Sequence, residues 1–195
     1  MKRFIDIFLS LITLIILSPL FLIIAILIAA ESKGGVLFSQ IRVGYRNRDF
    51  KLYKFRSMRN GADKEGLLTV GDRDSRVTKI GYFIRKYKLD EFPQLINILK
   101  GEMSIVGPRP EVRRFVALYT EEQLNVLSVK PGLTDYASLK FIDESDILCK
   151  VDNPEKYYIE RIMPKKINLN LQYIQNQSIG EDFKIMGKTV VRILG

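Results

Sequence analysis

The stretch "KLDEFPQLINILKGEMSIVGPRPE", residues 88–111, combines a short helical pattern with two adjacent carboxylates and an arginine between prolines. Apolar residues recur within it at intervals of three and four, which predicts a helix with one buried face: Phe92, Leu95, Ile96 and Leu99. Asp90 is expected as the N-cap, Pro93 in the first turn, and Gly101 as the glycine that ends the helix. The stretch therefore predicts one short, well-delimited helix.

Asp90 and Glu91 lie where this helix is expected to begin. Helix N-termini favour anions, so a phosphate bound there would meet free amides. Arg85 is about one and a half turns upstream, and the flanking prolines restrict the backbone of Arg109. Two carboxylates also suit Mg²⁺, which takes one or two of them plus substrate phosphates. We expect a phosphate and metal site in which this pair of carboxylates offers a nucleophile and a neighbour that binds the metal or handles a proton. A plain capping role for Asp90 is the alternative.

The composition limits the chemistry that this protein can use. The chain has 195 residues, a net charge of +9, one cysteine and no histidine. The length fits one domain with an appendage, and the charge indicates an anionic partner: nucleic acid, phospholipid or a phosphorylated small molecule. A single cysteine, Cys149, excludes an internal disulfide framework. Without histidine, acid–base and nucleophilic work is left to carboxylates, Lys, Tyr, Ser or Thr.

The amino-terminal segment from Phe4 to Ala30 is far more apolar than the rest and carries one ionisable residue, Asp6. A straight helix of this length, roughly 40 Å, would exceed a hydrocarbon core of about 30 Å. Ser18 and Pro19 interrupt it, because proline lacks a backbone donor and clashes with the preceding turn. Each half alone is too short to cross a bilayer, so a bent, re-entrant hairpin is physically open.

Charges at both ends of this segment favour the re-entrant hairpin. Lys2 and Arg3 precede it, Lys33 follows it, and the positive-inside bias places both ends in the cytoplasm. A kinked single span is the alternative, because proline is tolerated in transmembrane helices. A cleaved signal peptide fits less well, because its apolar region runs to only about 7–15 residues. We divide the chain into a re-entrant membrane helix, 1–31, and a cytoplasmic catalytic domain, 32–195, with membrane-associated amphipathic helices.

A basic β-hairpin is predicted after the hinge, over residues 36–58, with its turn near Gly44 to Asn47. Seven cations and one acid fall between Arg42 and Arg59. Most of these cations are expected to be solvated and to face anionic lipid headgroups. Lys54 and Arg56 alternate with apolar neighbours and are the candidates for an inward-facing phosphate site.

The remainder of the chain reads as helices and loops, which makes the fold class α+β and mostly helical. A mobile loop is expected over 61–75, an amphipathic helix over 76–88, and little regular structure over 130–140. Helices are expected to start at Pro110 and behind a capping box of Thr120 and Gln123. A further helix is split by Pro164. The last helix, 181–194, can lie on a membrane or pack on the core.

These motifs together resemble the monotopic phosphoglycosyl transferases, the bacterial sugar transferase family that begins glycan assembly on a polyprenol carrier. The resemblance covers nearly the whole chain. It is carried by the apolar segment with Ser18 and Pro19 and by four further stretches: "LYKFRSM" at 52–58, "LDEFPQLINILKGEMSIVGPRPE" at 89–111, "KPGLTD" at 130–135 and "DFKIMGKTV" at 182–190.

The resemblance implies a reaction and a role for each matching residue. Asp90 would attack the β-phosphate of a UDP-sugar, release UMP and carry the phosphosugar until polyprenol (undecaprenyl) phosphate accepts it, with Mg²⁺ as cofactor. Glu91 would act at the metal or in proton handling, while Arg85 and Arg109 would bind phosphate. The resemblance also implies a re-entrant helix and a monotopic protein on the cytoplasmic face of the bacterial inner membrane.

The chain departs from the family pattern after the Pro-Gly turn. Many members read TGWAQ where this chain has "TDYAS" at 134–138, and the Asn-Gly-Arg that often follows is "LKFIDE". An arginine that could bind substrate phosphate is therefore missing. Thr134 is expected to contact substrate, and Lys140 is a candidate replacement for the arginine. These departures leave the identity of the sugar open.

Two rival hypotheses remain open. One is a non-catalytic, basic, membrane-anchored adaptor that binds anionic lipid, with Asp90 as a cap. The other is a spanning transferase that works without a covalent intermediate. No nucleic-acid recognition motif is present, so we expect UDP-sugar, polyprenol phosphate and membrane phospholipids as partners and no nucleic acid. The oligomeric state is left open, with a homodimer as one option.

Overall fold

The structure is a computed structural model that describes residues 1–62, 66, 68, 70, 71 and 74–194. It is mostly helical, as the sequence predicts, and its described residues form two small two-stranded sheets, of which only the hairpin was predicted. The mobile loop expected over 61–75 lies partly outside the described residues, at positions 63–65, 67, 69, 72 and 73. The amino-terminal half contains these elements: α1 Lys2–Ile16, α2 Ser18–Glu31, β1 Leu37–Val43, β2 Asp49–Phe55, α3 Lys79–Lys86, α4 Gln94–Lys100 and β3 Ser104–Val106.

The carboxy-terminal half is almost entirely helical. Its regular elements are α5 Arg113–Val116, β4 Gly132–Thr134, α6 Tyr136–Lys140, α7 Glu144–Cys149, α8 Pro154–Tyr157, α9 Met163–Gln175 and α10 Ile179–Leu194. Short 3₁₀ turns cover Tyr45–Asn47, Leu89–Glu91 and Gln123–Ser128. A π-helical segment, Tyr158–Ile162, joins α8 to α9 ahead of Pro164, so the predicted split is an irregularity within one continuous helical run.

The predicted break at Ser18 and Pro19 is present. The two apolar helices α1 and α2 meet at an angle of 64°. Pro19 lies in the first turn of α2, where a missing amide hydrogen is tolerated, and the Ser18 hydroxyl donates to the carbonyl of Ile15 at 2.8 Å. No single helix among the described residues is long and apolar enough to cross a membrane, whereas the bent pair together meets that criterion.

The polar residues of α1 bind the globular part of the molecule. Asp6 is 5% exposed and accepts hydrogen bonds from the Ser104 hydroxyl at 2.9 Å and the Ile105 amide at 3.0 Å. Lys2 donates to the Val106 carbonyl, and Arg3 donates to the Leu99 carbonyl, both at 2.9 Å. These side chains fix α1 against β3 and the end of α4, while large apolar residues elsewhere on α1 stay exposed.

The basic hairpin is formed as predicted. Strands β1 and β2 pair antiparallel, with Leu37 opposite Phe55 and Val43 opposite Asp49. Asn97 of α4 is fully buried and covers the free edge of β2: its side-chain carbonyl accepts from the Tyr53 amide at 3.0 Å, and its amide donates to the Lys51 carbonyl at 2.7 Å. Because no strand of the described part of the chain continues the sheet there, this asparagine satisfies backbone groups that would otherwise be unpaired.

A parallel pair, β3 and β4, lies at the centre of the domain and was missed by the sequence analysis. Ser104 is opposite Gly132 and Val106 opposite Thr134. A Cβ at Gly132 would lie 2.1 Å from the Gly107 amide nitrogen, so only glycine allows the two chains to approach this closely. The expectation of an irregular 130–140 stretch is wrong, because it contains β4 and α6. Strands of three residues are too short to show a hydrophobic period.

The predicted α4 helix is present, but its start differs. Asp90 lies in the preceding 3₁₀ turn and Pro93 takes the N-cap position, so the expectation of Asp90 as N-cap is wrong. Gly101 ends the helix with a φ of 86°, as predicted. The buried face includes Ile98, while Ile96 is 38% exposed. The buried face of α4 is therefore rotated relative to the predicted one, and Asn97, which binds the edge of β2, lies on it.

Two further helix starts can be compared with the prediction. No helix begins at Pro110: Glu111 accepts a backbone hydrogen bond from Val43, which extends the chain there, and α5 starts at Arg113. The capping box is confirmed, because the Thr120 amide donates to the Gln123 side chain at 3.0 Å and the Gln123 amide donates to the Thr120 hydroxyl at 3.3 Å. The helix behind it is of the 3₁₀ type.

Two amphipathic helices present apolar surface. Helix α3 is predicted correctly and is capped by the Thr78 hydroxyl; Glu31, the last residue of α2, also accepts from its Lys79 and Ile80 amides. Helix α10 packs on the core through Ile185, which is fully buried. The large side chains that both helices leave exposed are Tyr82, Phe83, Phe183, Val190 and Val191.

The Asp6 contacts predict a stability effect. In Asp6→Ala the Ser104 hydroxyl and the Ile105 amide lose a charged acceptor, so the free energy of unfolding in detergent should fall by about 3 kcal/mol. Ser10→Ala is the matched control, one turn further along α1, because the Ser10 hydroxyl is buried without a partner. Its effect should stay within about 0.5 kcal/mol. Equal losses in the two variants would contradict an anchoring role for Asp6.

Candidate functional site

The two adjacent carboxylates lie in a tight connection between α3 and α4. Lys88 has a φ of 55°, and this left-handed residue turns the chain into the 3₁₀ turn that carries both acids. Asp90 is 4% exposed. Among the described residues, no donor hydrogen-bonds its carboxylate. Its nearest charged neighbours include Lys54, Glu91, Arg85 and Lys88, which all act on its ionisation. Asp90 is thus buried among cations with its oxygens unengaged.

Unlike Asp90, Glu91 has both carboxylate oxygens bound by cations. Arg109 donates from Nη1 to Oε2 at 3.1 Å and from Nη2 to Oε1, and Lys54 donates to Oε1 at 3.1 Å. The Glu91 side chain is 14% exposed. A bidentate Arg–carboxylate pair of this kind is stronger and more directional than a single contact. The ion pair joins three separate parts of the chain: β2, the 3₁₀ turn and the Pro-Arg-Pro segment.

The environments drive the ionisation of the two acids apart. Burial raises the pKa of Asp90 and outweighs the opposing effect of Lys54. Burial also acts to raise the pKa of Glu91, but Arg109 and Lys54 dominate and hold that pKa well below its usual range. Arg109 remains protonated, because Glu91 raises its pKa further. Neighbouring titratable groups with such divergent environments are typical of catalytic sites.

Asp135 holds the backbone of Arg109 and was missed by the sequence analysis. This residue is fully buried. Its Oδ2 accepts from the Arg109 amide at 3.1 Å, and its Oδ1 caps α6 by accepting from the Ser138 amide at 2.6 Å. The available signal was an aspartate three residues before Ser138, which is an N-cap spacing. This contact adds to the two prolines in fixing Arg109.

A cavity of about 590 Å³ opens beside this ion pair. Glu91, Arg109 and Lys88 contribute to its wall, and Arg42 lines it while donating to Glu111 at 3.1 Å. One part of the wall is mainly apolar and is built from residues of α1 and α10: Leu9, Met186, Val190 and Ile193. The volume is in the range of small-molecule sites, and the lining combines convergent polar groups with apolar surface.

The structure brings together most, but not all, of the residues predicted for the site. Asp90, Glu91, Lys54 and Arg109 form one cluster, and Arg85 acts on Asp90 through its charge. Thr134 lines the cavity, with its hydroxyl 2.7 Å from that of Thr189. Among the described residues that line the cavity are Glu91 and Arg109 but not Asp90, so the roles assigned to these residues stay predictions.

Arg56 and Lys140 lie elsewhere. The expectation that Arg56 faces the site with Lys54 is wrong, because its guanidinium donates to the carbonyls of Gly34, Gly35 and Leu37 in the linker after α2. Strand β2 ends at Phe55, so the alternation that would have turned residue 56 inward stops there. Lys140 is exposed at the end of α6 and is not among the described residues that line the cavity.

Asp90 and Glu91 could supply only some of the ligands that a divalent cation such as Mg²⁺ needs. The described residues contain no group of three or more His, Cys, Asp or Glu side chains that could hold a metal. A carboxylate offers about four acceptor positions, and Arg109 and Lys54 use three of those of Glu91. Asp90 is unengaged. Two carboxylates and the oxygens of a bound phosphate would suffice for Mg²⁺.

Comparison with known proteins shows the family to which the chain belongs. The model of the bacterial sugar transferase family matches residues 1–195. The chain belongs to the bacterial sugar transferase family. Family membership also separates the chain from unrelated basic membrane proteins.

Three relatives illustrate the range of the family. The UDP-N-acetylgalactosamine-undecaprenyl-phosphate N-acetylgalactosaminephosphotransferase of Aeromonas hydrophila is 39% identical over 99% of this chain and 43% of its own length. The UDP-glucose:undecaprenyl-phosphate glucose-1-phosphate transferase of Klebsiella pneumoniae is 38% identical over 98% of this chain and 39% of its own. The exopolysaccharide production protein PSS of Rhizobium leguminosarum bv. phaseoli is 38% identical over 98% and 94%, respectively. The chain thus spans about two fifths of the first two relatives.

The environment of Asp90 predicts a pH-dependent stability difference. Asp90→Asn removes a buried ionisable group whose folded-state pKa lies above the usual 3.8. The contribution of Asp90 to the stability of the folded wild type therefore falls as pH rises from about 4, because ionisation of this carboxyl is easier in the unfolded chain. Asp90→Asn should have the higher unfolding temperature at pH 7, and its advantage should shrink towards pH 4. A constant advantage across this range would contradict the raised pKa.

Proposed function

We propose that this chain transfers a sugar 1-phosphate from a UDP-sugar to polyprenol phosphate through a covalent intermediate on Asp90. An Asp90 oxygen forms a bond to the β-phosphorus, the bond between that phosphorus and the bridging oxygen breaks, and UMP leaves. An oxygen of polyprenol phosphate then attacks the same phosphorus and restores the carboxylate. The products are a polyprenol diphosphate sugar and UMP. The observation that supports this proposal most strongly is the pairing of two different carboxylates. Asp90 is buried without a hydrogen-bond partner among the described residues, and the adjacent Glu91 is neutralised by cations.

This contrast between the two acids supports Asp90 as the nucleophile. A carboxylate attacks phosphorus through an oxygen lone pair, and three acceptor positions of Glu91 are occupied by Arg109 and Lys54. Asp90 is free of such contacts and is partly desolvated, so it keeps its oxygens available. Covalent catalysis divides one difficult displacement into two easier steps and needs no imidazole. That suits a chain without histidine.

The surrounding cations support the transfer of negatively charged groups. Arg109 is pre-oriented by Glu91 and Asp135, so its remaining donors can bind phosphate oxygens with little loss of entropy. Arg85 and Lys88 offset the charge that accumulates when a diphosphate approaches Asp90. Lys54 keeps Glu91 ionised. In this arrangement the role of Glu91 is to hold the side chains of Arg109 and Lys54 in place.

We include Mg²⁺ as the cofactor and propose that Asp90, the remaining acceptor position of Glu91 and phosphate oxygens of the substrate hold it. When bound, the ion would neutralise charge on the leaving phosphate. Glu91 would stay paired with Arg109 throughout, because its Oε1 contacts and one Oε2 contact are already made.

The lipid acceptor would reach the cavity along its apolar wall. Residues of α1 and α10 form that wall, and the same helices carry exposed apolar side chains. The named relatives from Aeromonas and Klebsiella use undecaprenyl phosphate. We propose that the bent α1–α2 pair enters and leaves one leaflet, with the catalytic part on the cytoplasmic face of the bacterial inner membrane. The sugar stays open, because those relatives transfer different sugars.

The covalent step can be tested by intact-mass measurement. Purified protein with Mg²⁺ and a panel of UDP-sugars, without acceptor, should release UMP and gain the mass of one phosphosugar. Asp90→Asn should lose both signals, while Asp152→Asn, at an exposed site, should keep them. Product formed with acceptor but without a mass gain would rule out the covalent step. No UMP from any sugar, with or without acceptor, would favour the lipid-binding adaptor.

The topology can be tested by cysteine labelling in whole cells. A cysteine introduced at residue 2, after replacement of Cys149, should react only with a membrane-permeant reagent, and so should one at residue 33. Labelling of residue 2 by an impermeant reagent from outside the cell would show a spanning helix and overturn the re-entrant topology.

A further inference from the structure

Two polar side chains in the cavity wall have buried atoms without a hydrogen-bond partner. These atoms are Ser138 Oγ on α6 and Asn170 Oδ1 on α9. Asn170 is 6% exposed, and both residues line the cavity of about 590 Å³. Buried polar atoms are nearly always hydrogen-bonded, and exceptions call for an explanation. A bound ligand with its own polar groups would satisfy both.

The two side chains are connected to the catalytic cluster. Helix α6 packs against α9. Asp135 caps α6 at the Ser138 amide through one oxygen and holds the Arg109 amide through the other. The same buried carboxylate therefore sets the position of Ser138 relative to the phosphate-binding arginine. A substrate with its diphosphate at Arg109 would have the rest of this cavity, which Ser138 and Asn170 also line, open to its other groups.

Lys166 lies one turn before Asn170 on α9, and its ion pair with Glu144 carries no net charge. Glu144 and Lys166 also line the cavity and form an ion pair of 2.8 Å. The carboxylate keeps free acceptor positions, and the ammonium keeps free donors. With a hydroxyl and an amide beside them, these residues form a set that both donates and accepts. A neutral set suits a neutral polar group better than a phosphate.

We propose that Ser138, Asn170, Glu144 and Lys166 bind the hydroxyl or acetamido groups of the transferred sugar and determine which UDP-sugar is used. This inference rests on the proposed function, because it assigns the sugar end of the same substrate. A sugar hydroxyl is both donor and acceptor, which matches the unpartnered serine and the amide. A site built to hydrogen-bond a substrate group discriminates strongly against analogues that lack it.

Substitution of Asn170 tests the assignment. UMP release is measured for wild type, Asn170→Leu and Ser138→Ala with UDP-glucose, UDP-galactose and their N-acetylated forms. Each variant should lower kcat/KM for the preferred sugar about tenfold and change the ratios between sugars. Inhibition by UDP, which lacks the sugar, should stay within about twofold. Asn168→Leu is the matched control, because Asn168 is exposed on the same helix, and it should change neither quantity.

Several outcomes would overturn the assignment. Unchanged sugar ratios in both variants would show that these residues do not read the sugar. If the variants lost inhibition by UDP to the same extent as kcat/KM, the nucleoside rather than the sugar would bind at Ser138 and Asn170. Asn170→Leu should fold, because the Asn170 side chain has no hydrogen-bond partner among the described residues, and its unfolding temperature without ligand should equal or exceed that of the wild type.

The failure of the proposed function can be separated from the failure of this inference. If the wild type releases no UMP, the proposed reaction is wrong, and the subsite is then judged by binding. UDP-sugar should raise the unfolding temperature of the wild type more than UDP does. In Asn170→Leu that extra increment should disappear while the increment from UDP remains. An extra increment that persists in the variant would overturn the subsite.

Discussion

The contact between Arg109 and Glu91 is the interaction on which the rest of this site depends. It joins the Pro-Arg-Pro segment to the turn before α4, and Lys54 adds β2 to the same carboxylate. Because these cations neutralise Glu91, the adjacent Asp90 can be buried with its oxygens free. Without the pair, two carboxylates would share one buried turn, and their repulsion would disfavour ionisation of both. The division of roles between the acids therefore follows from one ion pair.

Polar cross-links of high sequence separation hold this ion pair in place. Asp135 fixes the Arg109 backbone, and Asn97 fixes the edge of the strand that carries Lys54. Asp6 extends the same principle to α1, because it binds β3 next to the cavity. Preorganised groups of this kind cost little reorganisation when charge moves during reaction. The bent apolar helices are thereby connected to the cluster that would act on a lipid-borne acceptor.

Much of this architecture could be predicted from sequence because its signals are local. Proline chemistry predicts the bend at Pro19, alternation predicts the hairpin, and the clustering of Asp90 and Glu91 with cations follows from their types. Long-range contacts carry no such signal. Asp135 gave a capping pattern but no sign that its second oxygen reaches Arg109. Arg56 lies two positions after the inward-facing Lys54, which predicts the same direction, yet β2 ends at Phe55.

The most direct test of the account is to locate the phosphosugar on the chain. After acid quench of a reaction without acceptor, trypsin releases residues 89–100 as one peptide, and fragment ions distinguish its two carboxylates. The account predicts that the added mass lies on Asp90 and is removed by hydroxylamine, as expected for an acyl phosphate. Added mass on Glu91, or on any peptide outside 89–100, would contradict it.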